Sequence, residues 1–203
     1  MTTLECFFDC SSPWTYLAFE GLQPLAAEFG VAIDWRPILV GGIFNTINPT
    51  VYASREKPVR EKQRYMAKDL RDWARHSNLD IRFPPSVFPV NSVKAMRACI
   101  ALAPRGELVP FARETFRIYW TDNRDISQDD VLRDICTRAN VDEAFVFEAI
   151  ARPEIKDALK RNTDEVMARG GFGSPTIYVN TSDMYFGNDR LPLVRDALAR
   201  SRS

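Results

Sequence analysis

Ser11-Ser12-Pro13-Trp14 stands between a short apolar run, Leu4-Glu5-Cys6-Phe7-Phe8, and a stretch of helical periodicity. Chemically, this is a place to hold an anion. A helix start presents backbone N–H groups without partners and the positive end of the helix dipole, so it favours a negative group such as a thiolate. Ser12 supplies a hydroxyl at the cap position. Pro13 occupies the first helical position, where a missing N–H costs nothing. The same residues also suit an ordinary capped helix, so any chemical role depends on what the rest of the chain brings to them.

Three other places offer chemistry. Ser174-Pro175 follows the glycine-rich Arg169-Gly170-Gly171-Phe172-Gly173 and opens an apolar β run. A cis bond there would leave the backbone N–H and C=O of Ser174 unpaired and able to bond an extended peptide as a β-ladder does. The plain alternative is a proline starting an edge strand. Asn188-Asp189 precede the last helix, where a carboxylate usually caps the helix start. Cys6, Cys10, Cys99 and Cys136 contain no C-x-x-C pair, and His76 is the single histidine. That spacing argues against a zinc site and against a mechanism built on Ser-His or Cys-His, so no metal is expected. His76 reads as a cation at a helix C-terminus. Cys10 reads as a buried packing residue with no partner cysteine beside it.

The elements that must position these groups lie at the two ends of the chain. Leu4–Phe8 is a strand, and Trp14, Leu17, Ala18, Leu22, Leu25, Ala26 and Phe29 mark the helix after it. Gly30 ends that helix and Val31–Ile38 is a second strand, which completes a parallel βαβ unit. Gly41 to Pro58 reads as loop, with Gly41-Gly42, Asn48-Pro49 and Pro58 as breakers. Helices are expected over 55–76, 93–102 and 111–121, from a capping-box-like Ser127-Gln128-Asp129-Asp130 to Arg138, and over 143–151 and 154–167. Thr176–Val179 and Met184–Phe186 form a hairpin before a final helix from Arg190 to Ser201. A βαβ unit in front, a ββα unit behind and helices between give an α/β, thioredoxin-like layout. It has a four-stranded mixed sheet from residues 1–40 and 170–203 and an inserted helical lid domain over 41–169.

Composition narrows the partners. The 203 residues are long enough to bury a sizeable core, and 27 basic side chains balance 27 acidic ones. Zero net charge gives no electrostatic ground for nucleic acid or an anionic membrane surface. No apolar run approaches the roughly 18–20 residues that span a bilayer, and no secretory leader is visible, so a cytoplasmic location is expected.

Asp9 to Leu17, with Ser12-Pro13 at its centre, resembles the opening motif of the kappa-class glutathione transferases and 2-hydroxychromene-2-carboxylate isomerases, relatives of the DsbA-type disulfide oxidoreductases. Arg64–Leu70 is similar to that family's first lid helix and Phe83-Pro84 to the segment after it. Gly173-Ser174-Pro175-Thr176 and Phe186-Gly187-Asn188-Asp189-Arg190-Leu191 are similar to its two C-terminal motifs. The resemblance implies glutathione as cofactor. Ser12 then occupies the slot of the attacking cysteine and Thr15 that of the resolving one, which rules out thiol–disulfide exchange through this pair. It implies that Ser12 donates a hydrogen bond to the glutathione sulfur and that Ser174 and Pro175 hold the middle of the tripeptide. Asn188 and Asp189 would hold its γ-glutamyl end. Lys62 would reach its glycine carboxylate, although alone it reads as a solvated helix lysine. Asn48 would lie near the same ligand. The implied activity is glutathione-dependent isomerisation of a small aromatic substrate in aromatic breakdown, by a homodimer. Trp14, Tyr185 and Phe186 would stand by the substrate ring, and Asn45, Arg60 and Arg64 are candidates for its carboxylate. A kappa-class transferase is the rival enzyme, and a non-catalytic glutathione- or peptide-binding module is the rival of another class.

Overall fold

A computed structural model describes residues 2–201, the side chains of residues 54 and 55 excepted. Strand β1 (Leu4–Phe8) leads into helix α1 (Pro13–Glu28) and strand β2 (Ile33–Pro37), and β1 and β2 pair in parallel with Leu4 opposite Ile33. β3 (Thr176–Val179) lies antiparallel on the other side of β1, and β4 (Asp183–Phe186) antiparallel to β3. The order β2-β1-β3-β4 is the mixed four-stranded sheet expected from the two ends of the chain. The central strands are covered on both faces, which explains their nearly unbroken apolar runs. Leu4, Cys6, Phe8, Ile177 and Val179 enter the main core with α1. Phe7 and Tyr178 point the other way, into a smaller cluster with Ile38, Ile43 and Val166.

Eight helices lie between the strand pairs. They are α2 (Val40–Thr46), α3 (Thr50–Glu56), α4 (Arg60–His76), α5 (Val93–Leu102), α6 (Leu108–Trp120), α7 (Asp129–Ala139), α8 (Glu143–Ala149) and α9 (Pro153–Ala168). A 3-10 turn (Asn188–Arg190) precedes the last helix, α10 (Leu191–Arg200). The helices share one core with the sheet. Tyr16 of α1 stacks on Phe116 of α6 at 5.1 Å, and Phe116 also contacts Phe8 and Phe19.

Three expectations about this block are corrected. The supposed loop from Gly41 to Pro58 contains α2 and α3. Its glycines fall in the first turn of α2 and Pro49 at the N-cap of α3, and helix starts tolerate both residues. The helix expected from Arg55 begins at Arg60, after Pro58 has separated it from α3. No capping box starts α7. Gln128 is the N-cap without a side-chain cap bond, and Asp125 accepts from Ser127 N at 2.9 Å and from the Gln128 amide at 2.9 Å.

Candidate active site

The site is built where β1 runs into α1. Ser12 is the N-cap, extended at φ −111° and ψ 125°. Its Oγ accepts from the Thr15 N–H at 3.3 Å and donates to the Ser174 carbonyl at 3.3 Å. Its own carbonyl accepts from Tyr16 N at 3.2 Å. Pro13 has no N–H. The N–H of Trp14 is therefore the first-turn donor without an acceptor among the described residues. A half-exposed hydroxyl and, among the described residues, an unengaged N–H stand at the positive end of a four-turn helix, where the chemistry favours a negative group.

The facing wall is the Ser174-Pro175 segment, whose peptide bond is cis. Ser174 is buried. Its Oγ accepts from Asp9 N at 2.9 Å and shares a 2.8 Å hydrogen bond with Thr15 Oγ1. The expectation that both backbone groups of Ser174 stay unpaired holds for its N–H among the described residues. Its carbonyl instead receives the Ser12 hydroxyl. Pro175 is buried, and its carbonyl accepts from Gly187 N at 3.2 Å. That bond sets Asn188 and Asp189 one strand away from the proline, on a turn packed against α1.

Asp9, quoted in the opening motif without a role, proves central. It is 1% exposed. One carboxylate oxygen accepts from Ser11 N at 2.9 Å and the other from Val40 N at 2.9 Å. Burial raises its carboxyl above the usual range, and hydrogen bonds from the Ser11 and Val40 N–H groups and the Ser92 and Ser11 hydroxyls oppose this in part. An aspartate at a strand end just before a helix start was the available sequence signal. Its reach to Val40 was not legible.

Cys10 is fully buried, as expected, and its carbonyl accepts from Trp120 Nε1 at 2.9 Å. Burial drives its thiol well above the ordinary range, and contact with Cys99 and the nearby Asp9 charge add to this. The expectation that no cysteine stands beside it is corrected: Cys99 of α5 is close enough to raise the Cys10 thiol further. A neutral, enclosed thiol is a poor nucleophile. Burial likewise pushes the Tyr16 phenol up to about 12, so it stays protonated at neutral pH.

The remaining predicted residues are placed less closely. Asn48 bridges toward the site, its amide donating to the Phe172 carbonyl at 3.2 Å while its Oδ1 accepts from Thr50 at 2.8 Å. Lys62 is exposed in the first turn of α4, and no hydrogen bond or ion pair joins it to the cluster among the described residues. Asn188 is 6% exposed with no side-chain hydrogen bond among the described residues. Asp189 does not cap a helix. Gly187 and Arg190 hold the cap positions, and the Asp189 carboxylate pairs with Arg190 at 2.6 Å. Trp14 and Tyr185 are half-buried, and Phe186 is exposed against Phe172 with ring centroids 4.4 Å apart. Phe172 escaped the sequence reading because a lone aromatic in a glycine loop carries no periodic signal. Asn45, Arg60 and Arg64 are all exposed.

A cap serine facing a cis-proline across the end of a β1-β3 pair defines the class, and residues 3–199 match the DsbA-like thioredoxin domain, so the chain belongs to that family. Within it, the glutathione S-transferase kappa 2 of Caenorhabditis elegans is 30% identical over 212 residues, covering 97% of this chain and 91% of that protein. A 2-hydroxychromene-2-carboxylate isomerase of Sphingobium xenophagum is 27% identical over 198 residues, covering 97% of each. A solved structure of 2-hydroxychromene-2-carboxylate isomerase superposes with a TM-score of 0.81 at 20% identity, over 98% of this chain and 95% of that one, and bears on the fold alone. The relatives are enzymes, in line with the family resemblance of the motifs. Among the described residues no helix is long and apolar enough to cross a membrane, and no group of three or more His, Cys, Asp or Glu side chains is placed to hold a metal ion.

Proposed function

We propose that the chain is a glutathione-dependent isomerase of the 2-hydroxychromene-2-carboxylate type, acting on a small aromatic keto acid in aromatic breakdown. The observation that carries this reading is the Ser12 hydroxyl at the start of α1, within hydrogen-bonding distance of Ser174 next to the cis-proline. A hydroxyl and a helix N-terminus stabilise a thiolate without attacking anything themselves, so the nucleophile must arrive with the ligand. Glutathione, when bound, would supply a thiolate nucleophile for reversible addition to and elimination from an unsaturated ketone, and Ser12 and the Trp14 N–H would hold that thiolate.

The donor set of the chain suits a tripeptide thiol. Ser12 and the Trp14 N–H are assigned to the sulfur, the single Ser12 hydroxyl proton turning from the Ser174 carbonyl, where it lies in the ligand-free chain, to the thiolate; the Ser174 N–H, without a partner among the described residues, is assigned to an extended backbone. Asn188, buried and with its amide unengaged among the described residues, and Asp189 offer a carbonyl and a carboxylate to an α-amino-acid end. Lys62 and Asn48 are assigned to the glycine end. Lys62 is an exposed cation on α4 without an ion pair among the described residues, and Asn48 is already tied to the loop that carries Ser174. Phe186, Tyr185 and Trp14 are assigned to the substrate ring. The same reading includes a homodimer, supported by the exposed Val59, Tyr65 and Met66 at and along α4.

A kappa-class transferase is the second reading, favoured by the 30% identity to the nematode kappa 2 enzyme. Both activities need the same thiolate. The purified chain, given 2-hydroxychromene-2-carboxylate with and without glutathione, should isomerise it only when glutathione is present. No spectral change, together with conjugation of a chloronitrobenzene, would overturn the isomerase in favour of the transferase.

A further inference from the structure

We propose that Asp9 is the positioning residue of the thiolate site, fixing the start of α1 against the first turn of α2 so that Ser12 points at the sulfur; the proposal rests on the glutathione reading above. Asp9 is bonded through every polar atom it has. Its N–H donates to Ser174 Oγ at 2.9 Å and its carbonyl accepts from Ser12 N at 3.2 Å. Its two carboxylate oxygens take Ser11 N and Val40 N, each at 2.9 Å. One residue therefore joins the three segments whose mutual placement the site needs: the helix start, the cis-proline loop and the entry to the helical block.

Two features separate this from ordinary core filling. First, α2 has no cap of its own. Its N-cap is Leu39, which has no polar side chain, and the carboxylate reaching Val40 N comes from the end of β1 instead. Second, Asp9 has the wrong charge to help a thiolate directly. Among the described residues no lysine or arginine pairs with it, and its charge adds to the rise of the Cys10 thiol, after burial and Cys99, and of the Tyr119 phenol, after burial and Asp125. A buried carboxylate close to an anion site opposes the anion by Coulomb repulsion. Its benefit to the site must come through geometry.

These two roles predict opposite signs, which makes the test decisive. Asp9→Asn removes the charge, and the amide nitrogen cannot accept, so one of the two N–H bonds is lost. Val40→Pro leaves the carboxylate intact but removes the N–H on the far side. Proline is well tolerated at the first helical position, so this variant covers the case in which Asp9→Asn does not fold. The measurement is the pKa of the thiol of bound glutathione, read from its ultraviolet thiolate absorbance against pH. Both variants should raise it by about one unit, a tenfold loss in thiolate-to-thiol ratio, while glutathione still binds. An unchanged or lowered value in either variant overturns the proposal. Amide hydrogen exchange in the ligand-free chain is the second arm. Ser12 should exchange faster in both variants, and unchanged exchange there also overturns it. If the wild-type chain shows no thiolate band with glutathione, the glutathione reading falls instead, and the exchange arm still decides whether Asp9 holds Ser12 in place.

Discussion

Replacing Ser12 by alanine separates a cap from a chemical role, because the first shows in stability and the second in turnover. In the ligand-free chain Ser12 Oγ accepts the Thr15 N–H and donates to the Ser174 carbonyl, each at 3.3 Å. Loss of both bonds costs about 2 kcal/mol, which for a chain of this length lowers Tm by roughly 4–8 °C. A domain with about 5–15 kcal/mol of stability stays folded after that loss, so turnover should not fall through unfolding. As a donor to a thiolate, the same hydroxyl makes a charge-assisted hydrogen bond of about 1.5–3 kcal/mol, or roughly 10- to 150-fold in rate. The Trp14 N–H and the helix dipole remain, so the loss should be partial. The assay is turnover with saturating glutathione, beside urea unfolding of both proteins. Ser12→Ala should lose at least tenfold in kcat with a small change in the KM for glutathione, and Ser12→Thr, which keeps a hydroxyl and a capping oxygen, should recover most of it. Equal turnover in Ser12→Ala would refute the role given to Ser12, whatever its stability.

Three further outcomes follow from the geometry. Because burial holds the Asp9 carboxyl above its ordinary range, the folded chain binds that proton more tightly than the unfolded one, so its contribution is full at low pH and is lost as pH rises through the raised folded value. The stability of the wild type relative to Asp9→Asn, from denaturant titrations, should therefore decline as pH rises above about 4; a pH-independent difference contradicts this. Gly171→Ala should destabilise by about 1–3 kcal/mol, since its Cβ would lie 2.5 Å from Val166 Cγ2 and 3.0 Å from the Val166 carbonyl oxygen. A Gly173→Ala Cβ meets first the exposed Phe186 ring, at 2.8 Å, which can shift, and should cost less; chemical denaturation that ranks them the other way would contradict this. All four cysteines are buried and Cys10 is held neutral, so a thiol reagent at neutral pH should label Cys10 only after unfolding. Rapid labelling of Cys10 in the native chain would contradict that.

What could be read from the sequence was whatever is local. The boundaries of α5 and β3, the cap at Ser12 and the hairpin at Asn180–Asp183 each rest on residues a few positions apart, and all appear where the periodicity and turn chemistry place them. The four-stranded sheet followed from strand count and order at the two chain ends. The misread region, α2 and α3, failed for a local reason too: glycine and proline break helices in their interiors but are accommodated at their starts. What stayed hidden is contact between distant segments. Nothing about Cys99 in a helical run announces that it stands beside Cys10, and nothing about Val40 announces that its N–H is capped by Asp9. Asp189 shows the opposite failure. Its position before a helix suggested a cap, but the chain makes a 3-10 turn there and the carboxylate turns to Arg190.

The central claim is that this end of α1 receives a glutathione sulfur. A crystal structure of the chain with glutathione tests it most directly. The account predicts density with the sulfur within hydrogen-bonding reach of Ser12 Oγ, the cysteinyl backbone along Ser174 and the γ-glutamyl end at Asn188-Asp189. Glutathione bound elsewhere, or with its sulfur turned away from Ser12, would contradict it.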